Sequence, residues 1–399
     1  MSDAGFKRLT RLDDARERLF ERVTPTDRTT TRRLEAADGY VLAAAIDARR
    51  DVPHYERAAM DGFAVRARDT FGASERSPAV LARAETVGPD MGAWVHTGSD
   101  LPAGADAVVM VEHTDEVGEE IEVREPVAEG ANVAPVGEDV AAGTRLYGVG
   151  HRLRPSDLGL LKSAGVRDVE TYDPPTAGVI PTGEELVQSE PKAGETVETN
   201  GLTVSRYVER WGGEATYREV VTDERAALRA AIERDLTKDI VVTTGGSSVG
   251  ERDLVPEVID ELGELLVHGV ALKPGHPVGV GIVEGTPVLA LPGYPVASIV
   301  TAVQLLRPAL KRVGHLPLHP QPTSEARLDR KIASEPGTRT FARVELDGSD
   351  DPVAVPVRTG GAGVLSSVAL ADGWVVVPER REGVPAGETV AVEHWERLP

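Results

Sequence analysis

The stretch Asp239–Asp253, DIVVTTGGSSVGERD, runs into LVPEVIDEL and changes texture twice on the way. Ile240, Val241 and Val242 form a short β-branched run of the kind found in a buried parallel strand, and the residues from Asp253 onward have helical periodicity. Between them, Gly245 and Gly246 can take backbone angles that set several N–H groups on one side of the loop. A strand, a glycine-rich turn and a helix start together make a site for an anionic group such as phosphate. Ser247, Ser248 and Asp253 stand where they could reach that anion or a metal beside it. A plain tight turn would look the same locally, so the surrounding chain has to decide.

Working outward, short apolar runs alternate with helical patterns from Thr176 onward. GVI precedes PTGEEL, TNGLTVSRYVERWG reads as a helix, and TYREVVT leads into the helical DERAALRAAIERDL. VLAL then precedes PGYPVASIVTAVQLL. This order predicts a parallel sheet with crossover helices. Upstream, TRLDDARERLFERV (10–23) has Leu12, Ala15, Leu19 and Val23 at helical spacing, with Thr10 and Asp13 placed as a capping box. Residues 48–141 read as short strands between Gly, Pro and Asp turns, and 142–175 contains one compact helix, SDLGLLKSAG. HLPLHPQPTS (315–324) reads as a proline-rich linker. Pro317 between His315 and His319 argues against a helical metal pair. Residues 325–399 return to strands and turns.

The 399 residues allow roughly two to four domains at about 100–200 residues each. No run approaches the roughly 18 apolar residues of a membrane span. The start, MSDAGFKRLTRLDDARERLF, lacks the apolar stretch of a secretory signal, so a soluble, cytoplasmic protein is expected. The absence of cysteine excludes disulfides, thiolate metal sites and a cysteine nucleophile. A net charge of −21 argues against nucleic-acid partners. Of the 44 basic residues only 7 are Lys. That imbalance, with abundant carboxylates, is similar to proteins of salt-accumulating archaea; an acidic mesophilic protein is the alternative.

In an open sheet of parallel strands, ligands bind beyond the carboxyl ends. Four such ends carry polar loops: Thr182–Glu185, Thr222-Asp223, Thr243–Asp253 and Pro292–Pro295. Each has a bland reading. Asp223 could be a helix N-cap, Glu184 and Glu185 could sit in a first helical turn, and Pro292 and Pro295 could only fix a turn. Together they suit a phosphorylated ligand held through a divalent metal with oxygen ligands, typical of Mg²⁺. Gly245 and Gly250 have P-loop spacing, but Glu251 stands where the lysine would follow, which argues against that class of ATPase. Lys273 in KPGHP adds a cation in a stiff turn. Asp61-Gly62 reads as a hairpin turn, and Asp139 is uninformative alone.

With those residues in hand, the chain resembles the molybdopterin molybdenumtransferase family, which includes the E domain of gephyrin. The strings that carry the likeness are AAMDGFAVR (58–66), HTGSDLPAGADAVVMVE (96–112), EGANVAPVGEDV (129–140), LGLLKSAGV (158–166), TGEEL (182–186), TTGGSSVGERD (243–253), KPGHP (273–277) and LPGYPVAS (291–298). FARV and GAGVLSSVALADGWVVVP extend it through the tail. The resemblance implies an α/β plus β, multidomain protein. A three-layer α/β molybdopterin-binding domain would take 1–27 and 176–317, a linker domain 28–47 and 142–175, an inserted β domain 48–141, and a C-terminal β-barrel 318–399.

The implied activity joins molybdate to adenylylated molybdopterin with Mg²⁺, releasing AMP and molybdenum cofactor. The implied partners, besides these small molecules, are a second copy in a homodimer, molybdopterin adenylyltransferase and apo-molybdoenzymes, with no nucleic acid and no membrane. Carried over by position, Asp61, Thr97, Asp139, Glu185, Asp223, Asp253 and Lys273 form the catalytic set, with Asp223 and Asp253 on the metal. Gly245, Gly246, Ser247, Ser248, Pro292, Pro295, Arg343 and Ser366 form the binding set. His276 and Tyr294 stand where the family usually has lysine and asparagine. A tungstate-inserting homologue and a non-catalytic scaffold that holds molybdopterin are the competing readings.

Overall fold

The computed structural model describes residues 9–245, 254–348, 350–357 and 364–397. The chain divides into two compact units: residues 1–30 with 172–399, and residues 31–171. Among the described residues, no helix is long and apolar enough to cross a membrane.

The first unit is built on a six-stranded sheet. Its strands are β1 (Thr176–Pro181), β2 (Glu214–Tyr217), β3 (Ile240–Thr244), β4 (Glu264–His268), β5 (Gly279–Val283) and β6 (Thr286–Leu291), in the spatial order β2-β1-β3-β6-β5-β4. The first four in that order run parallel, as the βα alternation predicts. The sheet as a whole is mixed, which corrects the expectation of a parallel one: β5 is antiparallel to both β6 and β4. The reason is local. Glu284 and Gly285 both have positive φ, 49° and 86°, and make a two-residue hairpin where a crossover would be needed for a parallel pair.

Buried on both faces, β1, β3 and β6 read as continuous apolar runs rather than alternating ones. One face places Val179, Val242 and Leu289 in a cluster with Leu12, Ala15 and Leu19 of helix α1 (Leu12–Arg22) and Val204 and Val208 of α2 (Asn200–Arg210). The other face places Val241, Val288 and Ala290 against Leu228 and Ile232 of α3 (Arg225–Asp235) and Val255, Val258 and Ile259 of α4 (Leu254–Leu262). The capping box expected at Thr10 and Asp13 is absent. α1 has Arg11 at its N-cap with no side-chain cap bond. Asp13 instead accepts two hydrogen bonds from Arg339, at 3.0 and 2.7 Å, and a charged fork outcompetes a backbone amide for that carboxylate.

The C-terminal part of this unit is a closed five-stranded barrel. Its strands are β7 (Thr323–Leu328), β8 (Arg339–Asp347), β9 (Val353–Pro356), β10 (Gly373–Val377) and β11 (Thr389–Glu393). The ring closes because β8 pairs with both β9 and β10. Its interior is filled by residues such as Leu328, Val344, Ala354, Val377 and Val392. A two-residue strand, Leu272–Lys273, runs alongside β8 with Lys273 opposite Thr340.

The second unit holds another six-stranded sheet, in the order 107–110, 62–65, 91–95, 79–83, 120–123, 114–117. The Asp61-Gly62 hairpin does not form. Gly62 begins a strand that pairs with both 91–95 and 107–110, and a Cβ there would fall 2.0 Å from Val109 O. Close backbone approach, not turning, is what this glycine provides. The helix in SDLGLLKSAG spans Pro155–Ser163 and starts with a capping box through Asp157.

Candidate functional site

The carboxyl ends of β1, β3 and β6 lie in register, with Pro181 opposite Thr244 and Thr244 opposite Leu291. Their loops continue the ladder for one more step. Thr182 N–H donates to Thr244 O at 3.1 Å, Gly183 N–H to Val221 O at 3.1 Å, and Gly245 N–H to Leu291 O at 3.1 Å. Gly245 has φ +120°, and a Cβ there would sit 2.1 Å from Thr182 O. Only glycine lets the two loops approach so closely. Gly293 lies against the same backbone, and Asn200 Nδ2, at the start of α2, donates to Gly293 O at 2.6 Å. Pro295 opens the helix Pro295–Thr301, while Pro292 is buried behind it.

Several polar atoms at this edge are buried without a hydrogen-bond partner among the described residues. They are Thr182 Oγ1, Thr243 Oγ1, Thr244 Oγ1, Ser298 Oγ and Asp223 Oδ1. Buried hydroxyls and carboxylates are normally paired, so exceptions on both faces of one strand edge mark it as a place built to meet something else.

Neither bland reading of the acidic loops survives. α3 has Glu224 at its N-cap and makes no side-chain cap bond, so Asp223 is not a cap. Glu184 and Glu185 sit in a turn before the short strand Leu186–Val187, not in a helix. Burial pushes the Asp223 carboxyl above its usual range, and the Glu185 and Glu184 carboxylates push it further; a hydrogen bond from the Glu184 backbone acts the other way. Desolvation and like charge together disfavour the ionised form here. Gly246, Ser247, Ser248 and Asp253, all singled out in the sequence, lie outside the described residues.

Lys273 Nζ is 2.9 Å from Glu335 Oε1. Gly275, two residues on, has φ +117°, and a Cβ there would meet Leu272 Cδ1 at 2.6 Å and Thr301 Cγ2 at 2.7 Å. Arg343 lies on β8 opposite Trp374, only 4% exposed, and burial pulls its pKa down. Ser366 is the exposed first residue of a short helix, Ser366–Ala369.

In the second unit, Asp61 and Thr97 are brought together across 36 residues of chain. Asp61 Oδ1 accepts from Thr97 N–H at 2.6 Å and from Thr97 Oγ1 at 2.8 Å. The Thr97 backbone bond, then its hydroxyl, hold the Asp61 carboxyl below the usual range. Asp139 is exposed, and its N–H donates to Val52 O at 2.9 Å. Sequence reasoning placed Thr182 in a polar strand-end loop but missed Asn200, Ser298 and Glu335. The Thr-Asn-Gly start of α2 was the only local signal among them.

Three family models cover nearly the whole chain. The MoeA N-terminal region (domain I and II) matches residues 10–165, a molybdopterin binding domain matches 178–312, and the MoeA C-terminal region (domain IV) matches 325–395. A molybdopterin biosynthesis protein of Methanocaldococcus jannaschii is 37% identical over 88% of this chain and 88% of its own length. A molybdopterin molybdenumtransferase of Mycobacterium tuberculosis is 32% identical over 90% of this chain and 93% of its own. Among solved structures, the MoeA molybdopterin biosynthesis protein of Pyrococcus horikoshii superposes with a TM-score of 0.83 at 34% identity, covering 98% of this chain and 100% of that one.

Proposed function

The chain belongs to the molybdopterin molybdenumtransferase family of molybdenum cofactor biosynthesis, and from that premise we propose that it transfers molybdenum from molybdate to adenylylated molybdopterin, releasing AMP. The observation that carries this reading is the Asp223 carboxylate, partly buried against Glu184 and Glu185 with one oxygen lacking a partner among the described residues. Carboxylates crowded at a strand edge beside a glycine turn are a poor arrangement for a protein alone. They suit a divalent cation bound with a phosphorylated ligand.

The donor set fits Mg²⁺, being all oxygen. Among the described residues no three His, Asp or Glu side chains converge to hold an ion by themselves. The proposed ligands are therefore Asp223 and Asp253, completed by oxygens of the substrate phosphates. When bound, the ion would neutralise charge on the phosphoanhydride as AMP leaves. Gly245 and Gly246 would let the backbone approach the pterin phosphate, Ser247 and Ser248 would donate hydroxyls to it, and Pro292 and Pro295 would hold the adjoining wall. Lys273, Arg343 and Ser366 would receive the molybdate dianion. Asp61, Thr97 and Asp139 complete the polar set in a homodimer, the oligomeric state in which we expect the enzyme to work.

The test is direct. Incubated with adenylylated molybdopterin, Mg²⁺ and molybdate, the protein should release AMP in step with molybdenum incorporation, and omitting either ion should stop it. AMP release that proceeds equally in chelator without molybdate would overturn the assignment.

A further inference from the structure

The turn that presents Glu335 to Lys273 is unusually well fixed. Thr338 N–H donates to Glu335 O at 3.1 Å, Pro336 occupies the second position and Gly337, at φ +85°, the third. That is the type II turn for which this residue pair is suited. Ser334 N–H to Glu382 O at 2.9 Å and Gly337 N–H to Glu379 O at 2.8 Å anchor it on both sides. Lys273 is equally constrained, paired opposite Thr340 of β8 and followed by the tightly packed Gly275. Both charged groups therefore start from set backbone positions and meet at 2.9 Å, although their side chains remain 57% and 71% exposed.

We infer that Glu335 is a tethered competitor for the anion site of Lys273: its carboxylate occupies the ammonium until a doubly charged oxyanion displaces it, and so excludes monovalent anions. This rests on the proposed role of Lys273 in receiving molybdate. The physics follows from charge and exposure. An exposed ion pair contributes little stability, so it opens readily. A free monovalent anion offers the ammonium no more charge than the carboxylate already there, and must also give up translational freedom. A tetrahedral dianion brings twice the charge. Glu335 then acts as a threshold that chloride does not cross. The hydrogen bond from Lys273, and then its charge, lower the Glu335 pKa and favour the ionised carboxylate.

Equilibrium dialysis with molybdate tests this in the full-length protein. Lys273→Ala should weaken molybdate binding at least about tenfold, since a charge-assisted contact is lost. Glu335→Gln should tighten it by about twofold to fivefold, the range set by an exposed pair, and should make added chloride a stronger competitor than in the wild type. Glu325→Gln removes another exposed carboxylate, on β7, and should change neither. If Lys273→Ala binds as the wild type does, the anion role of Lys273 itself falls. If Lys273→Ala weakens binding but Glu335→Gln leaves affinity and chloride sensitivity unchanged, or if Glu325→Gln tightens binding equally, the anion site stands and the competitor role of Glu335 is overturned.

Discussion

Asp223, proposed above as a metal ligand, shows how a residue can be worse for the fold than its replacement. Its carboxylate is partly desolvated, faces two other carboxylates and leaves Oδ1 without a partner among the described residues. Asp223→Asn should therefore raise the melting temperature slightly at pH 7 in the absence of divalent cations. The same change should lower AMP release roughly a hundredfold or more, the scale expected when charge stabilisation at a phosphoryl centre is lost. Calorimetry and a single-turnover AMP assay check the two halves, and a lower melting temperature would show that Asp223 is structural. At this scale the sequence was legible in the placement of TGEEL, which lies at a strand edge beside Asp223. It was not legible for Glu335, which lies 62 residues from Lys273 and reads in isolation as an exposed acid before a Pro-Gly turn. Thr182 and Thr243 were read as part of polar loops, but the burial of their hydroxyls, and of that of Ser298, was not foreseen, because nothing local says which hydroxyls will be buried.

Among the elements, the helix Pro155–Ser163 depends most visibly on one side chain. Asp157 is 1% exposed. Its Oδ2 accepts from Arg154 N–H at 2.9 Å and from His151 Nε2 at 2.7 Å, and its Oδ1 accepts from Tyr147 OH at 3.0 Å and Arg154 Nη2 at 2.9 Å. Burial alone would push the carboxyl up. The bonds from Arg154, His151 and Tyr147 outweigh it and hold the pKa well below the usual range. A depressed folded-state pKa contributes stability above the unfolded value, near 3.9, and loses it as pH falls further toward the folded value. Asp157→Asn should cost about 1.5–3 kcal/mol at pH 7, the range for hydrogen bonds to a charged group. That gap should close as the pH drops below about 4, as urea unfolding of both proteins can show. The helix itself was legible as the compact run SDLGLLKSAG between turn signals, and α2, α3 and the strands β1, β3 and β6 were legible from the alternation of apolar runs with helical patterns. The antiparallel β5 was not, because a continuous apolar run has the same pattern in either direction and only the two-residue hairpin turns it round. The start of α1 was missed for another reason: Asp13 is taken by Arg339, 326 residues away, and no local rule sees that pairing.

For the whole molecule, charge is the dominant fact: 65 acidic against 44 basic residues. Many of the arginines are committed to ion pairs, such as Arg28 with Asp239 and Arg381 with Glu388, which leaves the surplus carboxylates to repel one another. At 0.1 M salt the Debye length is about 10 Å, and at 1 M about 3 Å. Self-repulsion of this kind destabilises the compact state. Raising KCl from 0.1 to 2 M should lift the melting temperature by about 5 °C or more; a flat or falling curve would make the acidic surface incidental. The division of the chain has a different consequence, one of timing. Leu12, Ala15 and Leu19 of α1 belong to a core whose strands begin at Thr176, and the unit spanning 31–171 is made in between. The strands that α1 packs against, β4 and β5, begin about 240 residues after it ends, so at ribosomal rates of about 5–20 residues per second α1 waits roughly 12 to 50 seconds for them. Through that interval its apolar stripe has no native partner, so a helix made early is among the last to be buried.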